Sequence, residues 1–169
     1  QGKTKKFSYR LLVHKILEYE NEYIMVAEAY YPKYAYPSNT SFSYGYVPNS
    51  VRNALFLGYI WTHAVVVAFD QNCNIIWDNT FKIEDRISYS LDETVQVSKI
   101  DDNIILNYLE ENEIRTKVIN RDGILEGKTF NPVRLSFKTD QVKDNDLDFE
   151  SFERWFGNTS IAFGEQSIK

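Results

Sequence analysis

The segment YIWTHAVVVAFDQNCNIIWDNTFKI, residues 59–83, constrains the fold more than any other part of the chain. Two long apolar runs flank Asp70-Gln71-Asn72-Cys73-Asn74. Val, Ile, Trp and Phe suit a pleated sheet, and Asn and Asp tolerate the left-handed backbone of a tight turn, so the spacing predicts a β-hairpin. The same punctuation recurs downstream. VQVSKI, IILNYL, IRTKVI and ILEGKTF are separated by Asp101-Asp102-Asn103, by residues 110–113 and by Asn120-Arg121-Asp122-Gly123. Strands joined by turns at roughly ten-residue intervals make an antiparallel meander.

Upstream, FSYRLLVHKILEYENEYIMVAEAYY consists of two runs about Glu20-Asn21-Glu22. In the first run Tyr9, Leu11 and Val13 alternate with Leu12, His14 and Ile16, as a strand requires. A helix competes for RLLVHKILEYE, because Leu12, Ile16 and Tyr19 also share a helical face. The run lacks an N-cap and feeds into β-prone residues, which favours the hairpin. Residues 32–58 hold three of the four prolines and predict a long loop with a short helical turn at 50–55. Near the end, Phe149, Phe152 and Phe156 recur at helical spacing, with acids before them and Gly157 after, which predicts one short helix. RLSFKT and SIAFGEQSIK read as further strands. The expectation is an all-β fold of antiparallel hairpins, one domain over residues 1–169, with a β-sandwich or barrel as the alternative arrangement.

The turn string Ala68-Phe69-Asp70-Gln71-Asn72-Cys73-Asn74-Ile75-Ile76-Trp77 resembles the repeated blade hairpin of quinoprotein-type β-propellers, with Asn74 where that family has Gly. Residues 99–109 and 118–125 echo it. More broadly, the chain is similar to secreted β-propeller-like proteins of unknown function found in bacteria. The resemblance implies propeller-like blades, and it carries no ligand residue across. About ten strands supply two or three blades, fewer than a closed propeller uses, so it implies an incomplete propeller or a segment of a larger one.

Charge and residue inventory exclude several function classes. A net charge of −5 over 169 residues disfavours phosphate-backbone binding, so no nucleic-acid partner is expected. No apolar run is long enough to form a transmembrane helix. The start at Gln1 fits a processed export substrate or a chain shortened at its N terminus, and the expected location is secreted, periplasmic or cell-surface. The single Cys73 has no second cysteine for a disulfide, a zinc pair or a CxxC pattern. Glycine-rich phosphate loops, EF-hand loops and nucleophile elbows are missing from the sequence.

What remains is a short set of candidates. His14 and His63 are the two histidines. Pairing about Asn21 places His14 opposite Glu28, and a shift of one residue places Lys15 there instead; in the first register His14, Glu28 and His63 would form a two-His, one-carboxylate metal set if the hairpins were adjacent. Glu28 and Asp78, embedded in apolar strand sequence, are the carboxylates to inspect for acid–base chemistry. Tyr30, Tyr31, Tyr34, Tyr36, Tyr44 and Tyr46 crowd one segment, and with Trp61 and Trp77 they are the candidate binding residues, since stiff rings with polar tips suit protein and sugar contacts. The sequence favours a non-enzymatic binding module for protein or carbohydrate, with no cofactor and no metal. A hydrolase or metalloenzyme using His14, Glu28 and His63, and a structural propeller segment, are the alternatives.

Overall fold

The structure is a computed structural model and describes residues 8–19, 21–35, 55–110, 113–120, 123–133, 141–142, 151–157, 159–163 and 166–167. Among the described residues thirteen strands occur in chain order: β1 (Arg10–Val13), β2 (Leu17–Tyr19), β3 (Glu22–Ala35), β4 (Leu55–Phe69), β5 (Ile75–Ser88), β6 (Gln96–Ile100), β7 (Asn103–Glu110), β8 (Glu113–Asn120), β9 (Gly123–Pro132), β10 (Gln141–Val142), β11 (Ser151–Phe156), β12 (Thr159–Phe163) and β13 (Gln166–Ser167). There is no helix among the described residues. Sheet A runs β1-β3-β4-β5 with β2 also on β3, and sheet B runs β6-β7-β8-β9. The pairs β11-β12 and β10-β13 form two small sheets. The pairing is antiparallel throughout, and the sheets are open rather than closed into a barrel.

Alternation decides which side chains enter the core. On sheet A, Ile24, Val26 and Tyr30 of β3, Ala64, Val66 and Ala68 of β4, and Trp77 and Phe81 of β5 share the inner face. Sheet B contributes Ile104, Leu106 and Tyr108 of β7 and Ile119 of β8 to the same cluster. One core is therefore built from both sheets. Phe81 and Tyr108 meet across it edge to face, with centroids 5.3 Å apart. Polar ties also bridge the sheets. Lys117 Nζ donates to Asn79 Oδ1 at 2.6 Å and to Thr80 O at 2.5 Å, Arg86 donates to Leu109 O, and the Tyr108 hydroxyl donates to Lys82 O.

The turn at 70–74 takes the form that its composition predicts. Asp70 Oδ1 accepts from the backbone N–H of Asn72 and of Asn74, Oδ2 accepts from the Asn74 amide, and Cys73 is left-handed at φ 63°. The Asn74 side-chain hydrogen bond, followed by the backbone ones, holds the Asp70 carboxyl below its ordinary value. Asp101, at φ 53°, turns the chain between β6 and β7.

Two expectations need correction. Of the helix read over 149–156, residues 151–156 are strand β11, paired with β12 from Ser151↔Phe163 onward, and 149 and 150 lie outside the described residues. Left-handed Gly157 turns a hairpin here instead of ending a helix. A segment this short gains little as an isolated helix, whereas pairing with Thr159–Phe163 satisfies its backbone at once. The loop read at 32–58 is also shorter at both ends, because β3 continues to Ala35 and β4 begins at Leu55. The helical turn read at 50–55 lies outside the described residues except for Leu55, which is strand. The strand read at RLSFKT lies outside them too.

Candidate functional site

His14 and Glu28 do meet, though not as ladder partners. The observed register puts Leu12 opposite Glu28, and Leu17 opposite Ile24 nearer the turn, so residues 14–16 lie between β1 and β2 outside the ladder. The His14 N–H donates to Val26 O at 2.9 Å, which holds the ring over the inner face. From there His14 Nε2 bonds Glu28 Oε1 at 2.7 Å. The same oxygen accepts the backbone N–H groups of Thr94 and Val95, both at 2.9 Å, on the connection from sheet A to sheet B. Glu93 Oε2 lies 3.7 Å from His14 Nδ1.

Glu28 is 0% exposed. A carboxylate that no substrate atom can touch, already holding three donors on one oxygen, acts as a staple rather than as a general base. Its Oε2 is buried and has no hydrogen-bond partner among the described residues.

His63 stays apart from this pair. It is the register partner of Ala29, whereas Glu28 pairs with Ala64, and neighbouring positions on a strand face opposite ways. The metal set of His14, Glu28 and His63 is not assembled, and the described residues hold no other group of three potential His, Cys, Asp or Glu ligands. Asp78 is exposed, which removes the burial on which its acid–base reading depended.

The aromatic candidates separate by face. Trp61 (0% exposed), Trp77 and Tyr30 belong to the core and present no broad surface to a partner. They owe this to inward register positions on central strands, which a count of aromatics does not reveal. Tyr34, 47% exposed, ends a ladder of rings running from Trp61 through Tyr30, Tyr59 and Phe56. Tyr36, Tyr44 and Tyr46 lie outside the described residues.

Tyr31 faces the other way and joins a cluster on the outer face of sheet A. The Tyr9 ring meets Tyr31 at 6.1 Å and 73°, and His63 at 5.8 Å and 74°. Two irregularities coincide at this level. Thr62 is an extra residue on β4 against β3, and β5 carries additional residues between Lys82 and Arg86, the partners of His63 and Trp61. Within the second bulge Asp85 is left-handed, at φ 50°. Bulges re-aim side chains, and a strained non-glycine residue beside them is a reason to look for function. Burial, then the charge of Asp85, then Tyr9, push the Tyr31 phenol above its ordinary value.

Thr62 also orients the His63 ring. Its hydroxyl donates its one proton to Ala29 O at 3.2 Å, so the 2.9 Å contact with His63 Nδ1 has the ring nitrogen as donor. Sequence reasoning reached His63 and Tyr31 but missed Tyr9, Thr62 and Asp85. The signal was the charged triplet Glu84-Asp85-Arg86, which breaks the alternation of β5 where a bulge must form.

Along β1 the outer face is apolar. Leu11 and Val13 are 55% and 51% exposed on edge strand β1, opposite Ala29 and Ala27. Tyr9, 47% exposed, continues the row. No family model, curated protein or solved structure matches the chain.

Proposed function

We propose that the chain is a non-enzymatic β module that binds a protein through the outer face of sheet A. The observation that carries this reading is the pair Leu11 and Val13, exposed on edge strand β1 of a sheet whose inner face is already committed to the core. Monomers seldom leave such an edge and face uncovered. Aliphatic side chains in the row favour a protein over a sugar, which needs stacking rings and polar partners.

A second reading has its own support: the chain is a segment of a larger propeller-like stack. A five-stranded and a four-stranded antiparallel sheet follow one another in the chain and share one core, and β11 lies beside β6 and β7 of the second. In such a series the outer face of sheet A is the position where a further sheet would lie.

A photo-crosslinking amino acid at Leu11 or Val13, in protein made by its native cell, separates the two. Cross-links to a distinct protein, lost on placing Lys at the neighbouring apolar position and absent from a probe at exposed Leu125 of sheet B, support the module. Cross-links within the same polypeptide support the segment. No cross-link from either position refutes both.

A further inference from the structure

Strand β5 ends sheet A, and among the described residues β4 is its one strand neighbour. On such an antiparallel edge every second residue turns its N–H and C=O away from the sheet, where a further strand can pair with them. Pairing with β4 is unbroken from Trp77 to Lys82, so Asp78, Thr80 and Lys82 share one orientation. Their hydrogen bonds show it to be the outward one. Lys117 Nζ donates to Thr80 O at 2.5 Å, the Tyr108 hydroxyl donates to Lys82 O at 3.3 Å, and the Thr80 N–H donates to Asn79 Oδ1 at 2.9 Å. Lys117 Nζ reaches Asn79 Oδ1 as well, at 2.6 Å, so one connected set of side chains occupies both outward groups of Thr80.

The charges on the strand indicate what those side chains exclude. Asp78, Thr80 and Lys82 are exposed on the outer face, whereas Trp77, Phe81 and Ile83 are buried on the inner one. Two copies of β5 laid edge to edge, antiparallel about Thr80, set Asp78 of each against Lys82 of the other, and directly opposed unlike charges stabilise a ladder. The strand is thus complementary to itself. We propose that Lys117, Asn79 and Tyr108 form a lock that keeps the open edge of β5 from pairing with a second copy of this chain. Lys117 and Tyr108 belong to sheet B, so the lock closes only when the two sheets dock. It is independent of docking at β1, which lies at the opposite edge of sheet A.

The oligomeric state of the full chain, measured by sedimentation equilibrium, is the test. Lys117→Met keeps a buried aliphatic stem and frees Thr80 O, and Asn79→Ala frees the Thr80 N–H. Each should tighten self-association about tenfold or more over the unaltered chain, because a two-fold pairing uses every freed group twice. In the Lys117→Met chain, adding Lys82→Asp sets like charges opposite one another and should abolish the gain. Adding Asp78→Lys as well makes the opposed charges unlike again and should restore it.

Loss of the gain with Lys82→Asp and its return with Asp78→Lys support pairing about Thr80. Self-association of the unaltered chain as tight as that of the variants, or no tightening in either variant, overturns the lock. Tightening that is indifferent to Lys82→Asp comes from another surface and overturns it too. Circular dichroism shows which variants fold, and if Lys117→Met does not, the same charge changes are made in Asn79→Ala.

Discussion

At the scale of single residues, the Glu28 staple shows how one buried oxygen can join three pieces of chain. Oε1 ties the β1–β2 irregularity through His14 to the β5–β6 connection through Thr94 and Val95. Removing an acceptor strands every donor it served, and a buried polar group left unpaired costs more than the bond itself contributed. Glu28→Ala is therefore expected to lower stability by about 3–5 kcal/mol, since three donors lose one acceptor and each buried donor left unpaired costs about 1–3 kcal/mol. His14→Ala leaves the two backbone donors in place and should cost about 1–3 kcal/mol. Urea denaturation midpoints at constant m-value measure both. Equal losses would show that Thr94 and Val95 gain little from the carboxylate. This pair was partly legible in the sequence. The turn about Asn21 predicts that His14 and Glu28 are close, but the residues that leave the ladder at 14–16 shift the register, and nothing in the local pattern marks that departure.

At the scale of elements, the sequence specifies hairpins well because turn chemistry and alternation are local. The Asp70–Asn74 turn, the meander from β6 to β9 and the all-β class follow from short-range pattern alone. Faces are harder. Sheet A has apolar residues on both sides, Leu12 inward and Leu11 and Val13 outward, so alternation in β1 cannot say which side meets sheet B. Trp61 and Trp77 read equally well as anchors or as core for the same reason, and only the stacking of the sheets decides.

That stacking makes a pH prediction through Tyr108 of β7. Burial, the largest cause, outweighs the opposing Arg115 and pushes its phenol up to about 12, with Glu110 and Glu84 acting in the same direction as burial. Below pH 10 the phenol is protonated in both folded and unfolded chains. Between pH 10 and about 12 the unfolded chain alone releases the proton, so stability falls as pH rises, by about 1.4 kcal/mol per unit at most. Tyr108→Phe should remove this part of the alkaline slope while costing the bond to Lys82 O at every pH. Denaturation series at pH 9, 10 and 11 on both proteins compare the slopes, and identical slopes would place the phenol in contact with water.

At the scale of the whole molecule, the question is whether sheets A and B are one cooperative unit or two blades that unfold separately. The core cluster answers in favour of one, because residues of both sheets share it and the inner face of neither is closed without the other. Lys117, Arg86 and Tyr108 add polar ties across the same boundary. A lesion placed wholly in sheet B should then be felt in sheet A. Leu106 of β7 is 0% exposed, and Leu106→Ala should cost about 2–5 kcal/mol through lost burial and a residual cavity. Trp61 and Trp77 report from sheet A once exposed Trp155 is replaced by Phe. If the sheets unfold together, the tryptophan fluorescence transition and the far-ultraviolet circular dichroism transition shift to lower denaturant by the same amount and stay superimposed. Separate unfolding gives a different result: the dichroism splits into two steps, and the tryptophan transition of sheet A stays where it was. The second outcome would make each sheet an independent blade, and the shared core would then contribute packing without cooperativity.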